Sequence, residues 1–321
     1  MIVTSETGRL DSAAHHDGVV VVLSWHGRRD TLACVESLLA DPEPATVLVV
    51  DNGSFDGVLE EVAERWPEVQ TLQTGTNLGF AGGMNRGIHW ALDRGARFIT
   101  VLNNDTIVPV GTIGRLQRVA AGRRAVSPEV LYRDRPDELW FGGSSLDDRL
   151  MFPFHTPTEA LEPPVDGLRV TRLLAGCCIT ASARVWHDVG LFDERFFLNF
   201  EDSEWGLRAR RAGVELVVDC TVGILHAVSA SFVREAAYLS TFYFVRNGLL
   251  FNRLGGGTVR SRLGFLRHKA SLVITASVRS GQPKRAARHA VMAAWAVASH
   301  LLRRYGPAPR MLHRLASGWR T

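Results

Sequence analysis

The chain lacks most of the features that place a protein quickly. Its 321 residues hold only four cysteines, with no CxxC pair and no Cys/His ligand spacing. That excludes a disulfide framework or a zinc ribbon, so Cys34, Cys177, Cys178 and Cys220 read as free thiols, mostly buried, in a reducing compartment. No run approaches the roughly 20 apolar residues of a spanning helix. The first 18 residues are polar, with Asp11, His15, His16 and Asp17, and have no apolar core segment; a cleaved export signal is not expected. There is no internal repeat and no low-complexity block. No GxGxxG turn follows the first apolar strand, which excludes the dinucleotide arrangement. No nucleic-acid reader motif or stacking platform is present either, so nucleic acid is not an expected partner.

Acidic side chains are missing from one whole region. The last is Glu235, and 15 of the 37 Lys and Arg lie beyond it. The first 235 residues therefore carry 22 basic against 33 acidic side chains, a net of −11. The molecule reads as an acidic body, 19–235, between a flexible segment, 1–18, and a basic helical region, 236–321. Segments 258–277 and 282–304 alternate Arg or Lys with Leu, Phe, Val, Ala and Trp. Such helices either cover the core or lie on an anionic membrane, and the expectation is peripheral association at the cytoplasmic face.

What is present is an α/β pattern, and 46% hydrophobic content suffices for one large core plus an appendage. Val19-Val20-Val21-Val22-Leu23 reads as a parallel strand buried on both faces. A helix with Leu32, Val35, Leu38 and Leu39 on one stripe follows, ending before Pro42 and Pro44. Strands at 46–50, 69–73 and 97–102 alternate with helices at 56–65 and about 84–94. This order predicts a doubly wound, mostly parallel sheet with ligands at the carboxyl ends of its strands. Residues 132–170, with five prolines, read as an irregular loop lining a second substrate. A helix is expected from Glu201 to Gly213 and a strand over 214–219.

Chemistry-bearing residues sit at those strand ends. Asn103-Asn104-Asp105 follows Phe98–Leu102, and an exposed carboxylate there suits Mg²⁺ or Mn²⁺, which prefer oxygen ligands and retain substrate phosphates. Asp51 ends another strand; it either accepts the imide N–H of a uracil or thymine or closes an Asx turn. The stretch Asn77–Gly87 is glycine-rich. Gly79 and Gly82 let backbone N–H groups approach a ligand, a helix from Met84 points its positive end there, and Arg86 is within reach of phosphate or ribose. Phe196–Phe200 is an apolar wall running into Glu201-Asp202 at a helix start. One carboxylate there is a candidate base for an acceptor hydroxyl. His226 closes an apolar run and is a candidate metal ligand. His89, His155 and His187 give no convergent signal.

Taken in order, these pieces resemble family-2 inverting glycosyltransferases of GT-A fold, most closely bacterial rhamnosyltransferases and galactofuranosyltransferases of cell-wall and O-antigen polysaccharide assembly. The resemblance covers residues 19–250. It implies a GT-A fold, with a Rossmann-like, mostly parallel central sheet flanked by helices and a C-terminal basic helical extension. Nucleotide and donor contacts would come from Trp25, Asp51, Asn77, Gly79, Gly82, Asn85, Arg86, Asn103 and Asn104. Asp105 and His226 would hold Mg²⁺ or Mn²⁺, Asp202 would be the base, and Glu201 would orient the acceptor. Tyr243, Arg246 and Asn247 fall in a further segment similar to the family. The donor would be a dTDP- or UDP-sugar, rhamnose among them, and the acceptor a glycan or a polyprenyl-diphosphate-linked sugar. Three positions depart from the pattern: Asn103 replaces a first aspartate, Trp25-His26 a Tyr-Asn pair, and Met84 an asparagine. Two other readings compete. A sugar nucleotidyltransferase would want a basic glycine loop after strand 1, where Ser24–Arg29 is a poor match. A non-catalytic nucleotide-sugar scaffold would not need Asp105, Asp202 and His226.

Overall fold

The computed structural model describes residues 17–228 and 236–319. The expected flexible segment 1–18 thus lies almost wholly outside the described residues. β1 (Gly18–Ser24), β2 (Thr46–Asp51), β3 (Gln70–Gln73) and β4 (Phe98–Asn103) are parallel and lie in the order β3-β2-β1-β4. Their crossovers are α1 (Arg28–Leu39), α2 (Val58–Arg65) and α3 (Gly79–Asp93). The unbroken valine run of β1 has a direct cause. Val20 and Val22 pack with Cys34, Val35 and Leu38 of α1 on one face, while Val19 and Val21 pack with Met84 and Ile88 of α3 on the other. Each such valine contributes about 1.5–3 kcal/mol by leaving water.

The rest of the sheet is mixed. β5 (Thr106–Ile107), α4 (Thr112–Val119), β6 (Arg124–Tyr132), β7 (Leu139–Phe141), β8 (Ser144–Asp147), β9 (Phe152–His155), β10 (Leu168–Val170), β11 (Cys178–Ser182), α5 (Ala183–Val189), α6 (Glu201–Arg211) and β12 (Glu215–His226) follow in turn. β11 runs antiparallel between β4 and β6, and β12 lies parallel to β6. The expected parallel winding therefore holds for the first four strands and reverses at β11. Residues 132–170 are not an irregular loop: β7 and β10 join the main sheet, and β8 and β9 form a hairpin. The prolines fall between these short strands or, as at Pro153, within a two-stranded edge where a missing N–H is tolerated. β12 runs past the expected 219, through a bulge between Asp219 and Gly223, and delivers His226 to the site.

The basic region is helical: α7 (Ala236–Leu254), α8 (Val259–Phe265), a π turn (Leu266–Ala270), α9 (Leu272–Arg279), α10 (Pro283–Leu301) and α11 (Arg310–Gly318). α7, α10 and α11 enclose their own apolar cluster around Phe242, Val245, Met292, Ala296 and Leu312. Phe197 and Leu198 of the body pack against it, so the extension is seated beside the carboxyl edge of the sheet.

Candidate active site

Asp105 follows β4 and is buried, as is His226 at the end of β12. Their strands meet because Thr106 pairs with His226, and the Ala227 N–H donates to the Asp105 carbonyl. The His226 Nε2 and Asp105 Oδ1 atoms lie 3.0 Å apart. They do not form an aligned hydrogen bond, and Oδ1 is buried with no donor. Asn103 Nδ2 approaches His226 Nε2 at 3.4 Å and His226 Nδ1 is buried without a partner, so the contacts do not fix which nitrogen carries the proton; with the proton on Nδ1, Nε2 offers a lone pair beside Asp105 Oδ1. Two donors on adjacent corners of an octahedral ion, each about 2.1 Å away, stand about 3 Å apart. An orphaned carboxylate oxygen and an imidazole lone pair at that spacing fit one hard divalent cation, with other ligands left to substrate and water. Among the described residues no cluster of three or more acidic, histidine or cysteine ligands exists.

Asp202 is close by. The Asn103 N–H donates to the Cys177 carbonyl (2.9 Å), and the neighbouring Gly176 N–H donates to Asp202 Oδ2 (2.8 Å). The approach is close: a Cβ at Gly176 would stand 3.1 Å from the Asp202 Cβ, so Asp202 would have to give by a few tenths of an ångström. Asp202 Oδ1 takes the Ser203 N–H and hydroxyl. Burial raises the Cys177 thiol well above its ordinary range, and its neighbour Cys178, then Asp105 and Asp202 add to the shift. Glu201 is fully buried with Oε2 unpartnered. Burial, reinforced by the Asp202 charge, pushes Glu201 well above the usual carboxylate range.

The loop before α6 is held from two sides. Asn199 and Phe200 have φ of 69° and 74°, an uncommon left-handed conformation for such residues. Asn247 of α7 donates to the Leu198 carbonyl (2.7 Å) and is itself oriented by Arg246 Nε (3.0 Å). Arg246 is buried among Phe242, Tyr243 and Tyr305, and burial lowers its pKa to about 10. The Tyr243–Arg246–Asn247 segment thus braces the turn that aims Glu201 and Asp202.

Other expected residues are placed differently. Asp51 is 1% exposed. Its Oδ1 takes the Ser54 N–H (3.0 Å) and hydroxyl, and its Oδ2 takes the Phe55 N–H (3.1 Å) and Gln73 (2.7 Å). Four donors fill the roughly four acceptor sites of a carboxylate. Burial raises the Asp51 pKa, and hydrogen bonds from Ser54, Gln73 and Phe55 outweigh it, so the carboxyl sits below its ordinary value. These are the hydrogen bonds of the turn, one of the two expected roles of Asp51. α3 starts at Gly79 rather than Met84, because Asn77 Oδ1 accepts the Gly79 N–H and Asn52 Oδ1 accepts the Leu78 N–H. The glycines there serve close packing: a Cβ on Gly87 would lie 2.2 Å from Val21, and on Gly79, at φ 75°, 2.2 Å from the Phe197 carbonyl. Gly82 and Asn85 are buried, and Asn85 is spent on Phe192 and Glu194. Asn104 donates to Thr31 (2.8 Å) at the start of α1. Arg86 is exposed with no ion pair among the described residues. Trp25 and Phe55 are exposed at the ends of the adjacent strands β1 and β2. Phe55 escaped sequence reading because one aromatic in a turn carries no periodic signal.

Sequence reading also missed His155, Trp140 and Gly176. His155 Nδ1 lies 3.1 Å from the Trp140 carbonyl, which only accepts, so the proton is on Nδ1. Trp140 stands edge-on to both His155 (4.6 Å) and His226 (5.0 Å). Crowding by protein lowers the His155 pKa, against the Trp140 hydrogen bond and the Asp202 charge that raise it, yet the ring stays accessible to solvent.

Residues 20–170 match the family model described as glycosyl transferase family 2. The chain is 30% identical over 234 residues to N-acetylglucosaminyl-diphospho-decaprenol L-rhamnosyltransferase of Mycobacterium tuberculosis, covering 64% of this chain and 76% of that protein. The chain belongs to glycosyltransferase family 2. It is also 23% identical to the dTDP-rhamnosyl transferase RfbF of Shigella flexneri, over 64% of this chain and 70% of that one. Among solved structures, this glycosyltransferase shares the fold of GalNAc-T7, solved with UDP, GalNAc and Mn²⁺ (TM-score 0.56, 14% identity, 83% of this chain, 58% of that one). It shares it also with the mannosyltransferase PcManGT of Pyrobaculum calidifontis, solved with GDP-Man and Mn²⁺ (TM-score 0.53, 14% identity, 95% and 86%). The fold is therefore of the GT-A kind, and the enzyme transfers glycosyl groups. That membership sets aside the nucleotidyltransferase and scaffold readings.

Proposed function

We propose that this glycosyltransferase moves a sugar, with dTDP-rhamnose the first donor to test among dTDP- and UDP-sugars, onto a polyprenyl-diphosphate-linked sugar at a membrane surface. The reaction is divalent-metal-dependent and inverts the anomeric centre. The observation that carries this reading is the Asp105 Oδ1 and His226 Nε2 pair, 3.0 Å apart and without an aligned bond, beside Asp202. The names of the Mycobacterium and Shigella relatives support the sugar and the lipid-linked acceptor.

Asp105 and His226 would hold Mg²⁺ or Mn²⁺, which when bound neutralises the diphosphate leaving group. Asp202 removes the acceptor hydroxyl proton as that oxygen bonds to the anomeric carbon and the bond to the nucleoside diphosphate breaks. Its Oδ2 takes a single internal donor, from Gly176, and so retains a lone pair for the proton. Burial beside the base disfavours the charged form of Glu201. His155 presents Nε2 to an acceptor hydroxyl. Trp25 and Phe55 flank the nucleobase, and Asp51 shapes the turn beneath it. One displacement suffices and no covalent sugar–enzyme intermediate is needed.

The test is turnover. Purified protein with Mn²⁺ or Mg²⁺, dTDP-rhamnose or a UDP-sugar, and a polyprenyl-diphosphate-linked N-acetylglucosamine should release nucleoside diphosphate and form an inverted glycoside. Release of pyrophosphate, a retained configuration, or full rate after chelation would each overturn the reading.

A further inference from the structure

α10 has two apolar faces and only one is covered. Ala286, His289, Met292, Ala296 and Ser299 are buried, with Met292 and Ala296 in the cluster shared with α7. The opposite stripe holds Val291 and Trp295, continues in Leu302 just past the helix end, and is exposed; Trp295 is 37% and Leu302 64% accessible. From Val291 to Leu302 there is no Asp, Glu, Lys or Arg. A helix apolar all round is ordinarily buried. α9, packed beside it, adds exposed Leu272 and Val273.

The charges around the stripe say what covers it. Lys284 and Arg285 are exposed at its amino end, and Arg303 and Arg304 at its carboxyl end. None of the Lys or Arg in residues 236–319 forms an ion pair among the described residues, and no carboxylate side chain occurs after Glu235. An apolar stripe carrying tryptophan and bracketed by exposed cations is the pattern of a helix lying in the plane of an anionic bilayer. Long cationic side chains at both ends reach headgroups while the stripe sinks between them. No helix of the described residues is long and apolar enough to cross a membrane.

We propose that the exposed face of α10, with its neighbour α9, docks this enzyme onto an anionic lipid surface. The surface rests on the reading of a lipid-linked acceptor only for its purpose, since its chemistry stands without it. Placement agrees with that purpose: Lys269 of the adjoining π turn packs over Phe152, in the strand that ends at His155. Docking there sets the strand that carries His155 beside the bilayer.

The experiment is co-sedimentation of the full chain with phosphatidylcholine vesicles with and without about a third phosphatidylglycerol. Binding is expected on the anionic vesicles alone, falling at least about tenfold in Trp295→Ser/Leu302→Ser and again in Arg303→Glu/Arg304→Glu. Transfer to a soluble acceptor analogue should be unchanged in both variants, which separates failure of the surface from failure of the transferase reading. Circular dichroism confirms that they fold. Equal binding by wild type and variants, no binding to anionic vesicles, or a concentration-dependent dimer in sedimentation that the Trp295→Ser/Leu302→Ser variant dissolves would each overturn the proposal.

Discussion

Asp51 and Asp105 close two strands that flank β1 in one sheet, and their carboxylates meet different fates. Asp51 is saturated by four internal donors, whereas Asp105 Oδ1 is buried with none. A buried carboxylate oxygen with no donor costs stability unless something outside the fold completes it. The contrast separates a carboxylate satisfied within the fold from one whose buried oxygen is not. Sequence position alone gave both the same weight.

The largest expected effect lies with the base. Asp202→Asn should lower transfer by about 10²–10⁴-fold while donor affinity in calorimetry stays the same; a retained rate would remove Asp202 from that role. Next is Asp105→Ala. Transfer and Mn²⁺ affinity should fall at least about a hundredfold, and thermal unfolding should shift little, because the lost oxygen had no partner. Asp51→Ala should invert that pattern. It should cost about 2–3 kcal/mol in a denaturant titration by stranding its donors, and leave Mn²⁺ affinity unchanged. A stable Asp51→Ala variant with lost nucleotide binding would instead restore the direct base contact. His155→Ala should raise the acceptor KM by about tenfold with a smaller change in kcat, as one neutral hydrogen bond implies.

The smallest effect is a pH dependence. Glu201 has a folded pKa raised above the ordinary value of 4.5. The unfolded chain therefore loses its proton first, and the stability tied to neutral Glu201 is present below pH 4.5 and drains away as pH rises toward the folded pKa. Glu201→Gln should remove this slope, so its Tm advantage over wild type grows from pH 5 to pH 8. An advantage constant with pH would mean that Glu201 is charged in the fold.

The first half of the sheet was legible because each signal was local. The valine run of β1, the stripe on α1 and the turn at Asp105 each report their surroundings within a few residues. Two things were not. The glycines after β3 looked like a ligand cradle, but close packing of α3 on β1 demands the same residues, and sequence cannot separate the two demands. The wall made by Trp140 and His155 comes from two short strands, β7 on β6 and β9 on β8, joined by a contact between side chain and carbonyl, with too few positions to show a period. His226 was legible as a residue, but its partnership with Asp105 needed the bulge that carries β12 past Asp219. The basic extension was read correctly as helical, while its two unequal faces show only once α10 is seated on α7.

The most direct test is a Mn²⁺ titration, in the presence of a nucleoside diphosphate, of wild type, Asp105→Ala, His226→Ala and Asp51→Ala. The account predicts one bound ion in wild type and in Asp51→Ala, with affinity lost in the other two. Equal Mn²⁺ affinity in wild type, Asp105→Ala and His226→Ala would contradict it.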